Sequence, residues 1–411
     1  LKILFLDTEP IRRGAQIFIS ELSSFLRNDG NECRTVYLYK SGNPAEKQIP
    51  LADDDRNLGG ERQLFLERLP GVNPIILKRL VREISSFSPE IIVANGSRTL
   101  KYAAAARQLY RKDTLWIARW IDDATFWNPG KISRWIYRKL ITSQFDALVA
   151  VSHSSLGSVI RHYDFKKPTK VIHRVFDERK FVQAPGRFEA RTKLGLDESD
   201  EVLLFLGNLT TQKRPERFIQ IIQELAGSRP NIRGLLVGDG ELRGELEQRA
   251  WGSKSEKRTA KKPEPGNKSQ GKSIRTQDED QSIVSCLATY VSFKGYQSDV
   301  SPFLAAADLL ILTSDTEGLP GVVLEAAYFS VPTVASDVGG IRECLIDGET
   351  GILVPEKEVS EFCSAIISLL EDTDRRRKLG EAAKTLVDGN FRMEVAGQQY
   401  LDFFKSLSHR P

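Results

Sequence analysis

Leu309-Leu-Ile-Leu-Thr313-Ser-Asp-Thr-Glu317-Gly-Leu-Pro-Gly321-Val-Val-Leu-Glu325 reads as a buried strand, a tight turn and the start of a helix. The apolar run is short and uninterrupted, the Gly/Pro cluster ends it, and a helix period follows. Two carboxylates stand eight residues apart around that turn. Glu317 falls in the turn itself, and Glu325 about one turn into the predicted helix. A carboxylate in such a turn can accept hydrogen bonds from sugar hydroxyls. One on the helix can clamp the two hydroxyls of a ribose. Between them, the free N–H groups of the helix N-terminus favour an anion such as a pyrophosphate. Sugar, pyrophosphate and ribose together describe a nucleotide-sugar.

The same alternation of short apolar runs and helix-period segments extends along the chain, which predicts parallel α/β architecture. In the first half the runs are Ile3–Leu6, Cys33–Tyr39, Ile91–Ala94, Leu115–Trp120, Ala147–Val151 and Val171–His173. In the second they are Val202–Leu206, Gly234–Val237, Val291–Lys294, Leu309–Thr313, Thr333–Ala335 and Gly351–Val354. Six strands plus six predict two Rossmann-like sheets, with the break near Phe176–Pro185 and a ligand in the crevice at the strand C-terminal ends.

The 411 residues, 40% apolar and 28% charged, fit two globular domains. A net charge of +4 gives no electrostatic mark of a nucleic-acid partner. Cys33, Cys286, Cys344 and Cys363 are widely spaced, which predicts reduced thiols in the cytoplasm and no disulfide scaffold. The four histidines, His153, His162, His173 and His409, show no metal-ligand spacing, so no metal site is expected. No eighteen-residue apolar run is present, and Lys2-Ile-Leu-Phe-Leu6 enters a strand without a signal-peptide layout. Residues 251–282 hold eight Lys/Arg and five Asp/Glu with almost no apolar residue, and read as a disordered surface insertion. Asp278-Glu-Asp280 within it and Asp53-Asp-Asp55 read as solvated charge runs.

The Glu317–Glu325 segment resembles the donor site of family 4 (group 1) glycosyltransferases, retaining enzymes of the GT-B fold. Their Glu-x7-Glu pattern is matched by Glu317, Gly318, Pro320, Glu325 and Ala326. The resemblance continues through Pro332, Asp337, Gly339, Gly340, Glu343, Asp347, Gly348 and Gly351. It implies two Rossmann-like parallel-sheet domains facing across a cleft. Residues 1–178 would form the acceptor side and 179–390 the donor domain, with 391–411 a helix crossing back to the first. It also implies a nucleoside-diphosphate-sugar donor, fixed protein charges in place of a metal, and Gly321 and Val322 offering N–H groups to the diphosphate.

Other motifs match in part. In Gly207-Asn-Leu-Thr-Thr-Gln-Lys213, Lys213 matches the family's diphosphate lysine, whereas Asn208 stands where an arginine is usual. The neighbouring Arg214 either supplies that charge or is an exposed helix-start residue. Gly238-Asp-Gly240 resembles the family's donor-pocket wall, and Val291-Ser-Phe-Lys-Gly-Tyr296 either walls the base pocket or is an ordinary strand-end turn. In Arg13-Gly14-Ala15-Gln16 only Gly14 remains of the Gly-Gly pair that the family often carries near the phosphate; it either keeps that place or is a plain βα-turn glycine. No histidine follows the fourth strand of the first half; Arg119 or Asp122 would occupy that ground. Trp127–Ile141 carries Lys131, Arg134, Arg138 and Lys139 beside Trp135, Ile136 and Tyr137. It reads either as a helix lying on the inner face of the plasma membrane or as a helix with one core face.

The reading is therefore a retaining glycosyltransferase, with Glu317 and Lys213 at the reaction and Glu325 on the ribose. Its acceptor would be a saccharide, a glycolipid or a small molecule, in cell-surface polysaccharide or glycolipid synthesis. A sugar-nucleotide epimerase and a non-catalytic sugar-nucleotide-binding protein are the alternatives.

Overall fold

The computed structural model describes residues 1–11, 14–40, 48–60, 72–110, 112–121, 123–124, 130–176, 178–251, 287–355 and 357–408. The insertion at 252–282, Cys286, Arg13, Asp122 and the start of the Trp127–Ile141 segment lie outside them.

Two parallel sheets form the molecule. The first contains β1 (Lys2–Asp7), β2 (Glu32–Tyr39), β3 (Arg56–Gly60), β4 (Ile91–Asn95), β5 (Leu115–Trp120), β6 (Ala147–Ala150) and β7 (Thr169–Val171), in the order β3-β2-β1-β4-β5-β6-β7. The second contains β8 (Glu201–Leu206), β9 (Ile232–Val237), β10 (Val291–Gly295), β11 (Leu309–Leu312), β12 (Thr333–Ser336) and β13 (Gly351–Val354), in the order β10-β9-β8-β11-β12-β13. In each sheet the order in which strands are added reverses once, between β1 and β4 and between β8 and β11. Crevices open at such switch points, at the carboxyl ends of the strands.

Period-two burial explains the apolar runs. On β1, Leu4 and Leu6 face the helix Pro74–Phe87 through Leu80 and Ile84. Ile3 and Phe5 face the other way, toward Phe18, Tyr400 and Phe404. The latter two belong to the helix Met393–Ser408, so the end of the chain packs on the first sheet. On β8, Val202 and Leu204 enter one cluster of the second sheet, and Leu203 and Phe205 the other.

Two strands differ from expectation. β3 lies at the sheet edge and needs little apolar surface: of its five residues only Leu58 is a large apolar one. β7 spans Thr169–Val171 rather than Val171–His173: as an edge strand it pairs on β6 through the polar Thr169 and Lys170, and the apolar signal comes from Ile172 and Val175, buried just beyond it. The Asp53–Asp55 run is not wholly solvated either. The Asp55 side chain is 7% exposed, pairs with Arg27 at 2.6 Å and accepts from the Thr35 N–H at 2.9 Å.

Glu343 ties the two halves together. Its carboxylate accepts from the N–H groups of His153 (2.8 Å) and Ser154 (3.2 Å), at the start of the helix His153–Tyr163, and meets His173 Nε2 at 2.9 Å. Burial alone would raise this carboxyl, but the bonds from His173, His153 and Ser154 outweigh it and hold Glu343 below the usual carboxylate range. A depressed carboxyl stabilises the fold above its unfolded value and loses that contribution as pH falls through its folded one. Glu343→Gln should therefore lower stability by about 1–3 kcal/mol at pH 7. The difference from wild type should shrink as pH drops below the carboxylate range, read from denaturant melts across pH. A difference that does not change with pH would remove the charged clamp.

Candidate active site

The switch point of the second sheet brings two loops together, Gly207–Lys213 after β8 and Thr313–Pro320 after β11. They are laced by short bonds. The Thr313 hydroxyl lies 3.0 and 2.9 Å from the carbonyls of Lys213 and Arg214. The Asp315 N–H donates to the Gln212 carbonyl at 2.9 Å, and Gln212 Nε2 donates to the Thr316 carbonyl at 3.0 Å. This lacing brings Lys213 Nζ to 2.5 Å from Glu317 Oε1, which also accepts from Ser314 Oγ at 2.6 Å. Glu317 is only 6% exposed, and these partners satisfy a polar group that would be costly to bury alone.

The loop after β12 seats Glu317 from behind. Gly339 holds φ +56°, and a Cβ there would lie 1.9 Å from the Glu317 carbonyl oxygen. Gly340 N–H donates to that same oxygen at 3.1 Å. Gly318 faces the first sheet, where a Cβ would lie 2.0 Å from the Ile121 carbonyl oxygen. The Gly-rich motifs here permit three backbone segments to stack without side chains between them.

Behind the turn, the helix Gly321–Tyr328 follows Pro320, and no side chain caps its N-terminus. Its first residues, Gly321 and Val322, line a cavity of about 780 Å³ between the two sheets, and the first N–H groups of a helix have no partner within it. Glu317, Lys213, Glu325, Gly207, Gly238, Gly318, Gly321, Val322 and Gly14 all line that cavity. Arg214 does not: its guanidinium turns to Glu216 (3.1 Å) and Asp315 (3.2 Å). Gly240, Tyr296 and Gln297 supply part of the wall.

Arg119 is not on the cleft surface. It is 1% exposed, donates to Asn95 Oδ1 at 2.7 Å and to the Tyr400 hydroxyl at 3.1 Å, and lies over the Phe18 ring. Ile121 faces the cavity instead. The segment Lys131–Ile141 is helical, with Ile132 78% exposed and Trp135 and Leu140 also exposed. Among the described residues no helix is long and apolar enough to cross a membrane.

A charged cavity residue, Arg174, escaped the sequence reading. Arg174, in the segment leaving β7, reaches between the first residues of two helices. A Cβ on Gly14 would lie 2.8 Å from its Nη1, and one on Gly321 2.5 Å from its Cζ. Burial lowers its pKa, opposed chiefly by the charge of Glu325. Burial likewise raises Glu325, opposed by Arg174 and then Lys180. The missing arginine at position 208 was the available signal that a cation should be sought elsewhere.

A family model described as "Glycosyltransferase Family 4" matches residues 12–180, and one described as "Glycosyl transferases group 1" matches 186–259 and 283–386. The chain is 28% identical over 260 residues to N-acetyl-alpha-D-glucosaminyl L-malate synthase of Bacillus anthracis, covering 62% of this chain and 58% of that protein. It is 29% identical over 271 residues to D-inositol 3-phosphate glycosyltransferase of Kineococcus radiotolerans, covering 64% and 57%. The chain thus spans about half the length of the curated relatives it matches. Among solved structures, Anabaena HepE in complex with UDP and glucose superposes with a TM-score of 0.74 at 20% identity, covering 99% of this chain and 100% of that one. Sucrose-phosphate synthase from Thermosynechococcus elongatus superposes with a TM-score of 0.77 at 17% identity, covering 99% of each. Both share the fold.

Because a methyl at Gly339 meets backbone oxygen, Gly339→Ala should cost more than about 1 kcal/mol and lower the melting temperature. Gly244→Ala is the control, since nothing lies within 4 Å of its Cβ position and the site is helical. It should be neutral or stabilising by up to about 1 kcal/mol. Equal melts for the two variants would contradict the stacked-loop arrangement.

Proposed function

Since the chain belongs to the group 1, family 4 glycosyltransferases of the GT-B fold, we propose that it moves a sugar, with retention, from a nucleoside diphosphate to an acceptor hydroxyl. One observation carries this reading: a single cavity at the switch point holds the Lys213–Glu317 pair and an uncapped helix N-terminus bearing Glu325. The helix N–H groups near Gly321 and Val322, with Lys213, receive the diphosphate. Glu325 anchors the ribose, and Glu317 orients the sugar hydroxyls. The anomeric C–O bond breaks largely before attack, giving oxocarbenium character that the Glu317 carboxylate favours. The acceptor oxygen then bonds to the anomeric carbon from the leaving-group face, and its proton passes to the departing phosphate oxygen. The Lys213 and helix charges stabilise the leaving diphosphate, so turnover is expected to persist in chelator. The first sheet presents the acceptor, whose class includes saccharides, glycolipids and small molecules.

Thermal melts against UDP-, GDP-, ADP- and dTDP-sugars identify the donor, since a ligand of the folded state raises the melting temperature. With that donor and an accepted hydroxyl compound, Glu317→Ala should lower kcat by at least about a hundredfold with the melt of the apo protein little changed. Proton NMR should show the donor's anomeric configuration kept in the product. An inverted product would overturn the retaining mechanism. Interconversion of sugar epimers without release of nucleoside diphosphate would favour the epimerase reading. Binding without either reaction would favour the non-catalytic one.

A further inference from the structure

Charge in the cavity is unevenly satisfied. Lys213 already has a counter-ion in Glu317 at 2.5 Å. Arg174 does not. Among the described residues its guanidinium makes no hydrogen bond or ion pair, and its Nε is buried without a partner. Glu325 is its leading counter-charge, acting without a direct bond. The surroundings add to the imbalance. The guanidinium lies against Gly14 and Gly321, the first residues of the helices Gly14–Asn28 and Gly321–Tyr328. Both helix N-termini carry partial positive charge. A cation held against two positive helix ends, partly out of water, is costly until an anion joins it.

Both glycines serve this side chain. The space a Cβ would fill at Gly14 and Gly321 is occupied by the guanidinium itself, within 2.5–2.9 Å. Across the same cavity, Asn208 is exposed where the family resemblance places a cation. One arginine is thus absent from the loop after β8, and another is present from the segment after β7.

We propose that Arg174 binds the donor's diphosphate, taking over from the opposite domain the task of the arginine that position 208 lacks. This assignment rests on the glycosyltransferase reading above. The planar fork offers two parallel donors to phosphate oxygens, and the first N–H groups of the helix at Gly321 close the other side of the anion. A donor so held contacts both sheets at once through its diphosphate.

The test is calorimetric titration of wild type, Arg174→Gln, Arg174→Lys and Arg174→Gln/Asn208→Arg. The probes are UDP, GDP, ADP, dTDP, the matching nucleosides and inorganic pyrophosphate. Arg174→Gln should weaken pyrophosphate, and whichever diphosphate wild type binds, by about ten- to a hundredfold. The matching nucleoside should change less than about threefold, since the lost contact is to phosphate. Asn208→Arg should restore part of the loss. Arg174→Lys keeps the charge and should show a smaller loss in the same direction; it carries the test if Arg174→Gln folds poorly. Unchanged diphosphate and pyrophosphate affinity in the folded variants would overturn the assignment while leaving the glycosyltransferase reading standing. Equal losses for nucleoside and diphosphate would overturn it as well, marking Arg174 as a support for Glu325. Failure of wild type to bind any of the four diphosphates would overturn the glycosyltransferase reading, and this inference with it.

Discussion

The contact between Lys213 and Glu317 depends on two loops from adjacent strands holding one another in place. Neither residue is near the other in sequence, and neither loop is a regular element. The Thr313 hydroxyl, the Gln212 amide and the Asp315 N–H fasten the loop after β8 to the loop after β11. Gly339 and Gly340 let the loop after β12 press flush on the Glu317 backbone. A buried carboxylate is costly unless paired, so the lacing that delivers Lys213 and Ser314 also makes Glu317 tolerable where it sits.

From that anchor the rest of the cavity follows. The turn at Pro320 aims an uncapped helix N-terminus into the cleft and carries Glu325 a turn further on. The first sheet closes the opposite side with Gly14, Ile121 and Arg174. Glu343, bound to the N-terminus of the helix His153–Tyr163, fixes the two sheets at a spacing that permits those contacts. The result is a site on which Lys213, Arg174 and the helix N-terminus at Gly321 converge, each held by the fold. Preorganised charge of this kind needs no rearrangement when negative charge develops on a leaving group.

Much of this was legible in the sequence, and the exceptions have physical causes. Parallel strands covered on both faces must be continuously apolar, so eleven strands announce themselves, and the edge strand β7, Thr169-Lys-Val171, is not among them. β3 does not, because an edge strand with Gly59 and Gly60 buries little. The carboxylates of the Glu317 turn were readable because their spacing lies within one strand–turn–helix unit. Lys213 was readable because it follows the neighbouring strand. Arg174 was not, because only tertiary packing brings the exit of β7 against Gly14 and Gly321. Arg119 misled for the same reason. Its charge is absorbed inside the first sheet by Asn95 and by Tyr400, a partner 281 residues away that no local pattern reveals. Arg214 looked available beside Lys213, but αL backbone at φ +53° and its pairs with Glu216 and Asp315 turn it aside.

The most direct measurement is a crystal structure of the protein with the nucleoside diphosphate that it binds. The diphosphate should lie in the cleft between Lys213 and the N-terminus of the helix at Gly321, with the ribose hydroxyls on Glu325. Density for the nucleotide anywhere else, or a ribose turned away from Glu325, would contradict the donor site described for this fold.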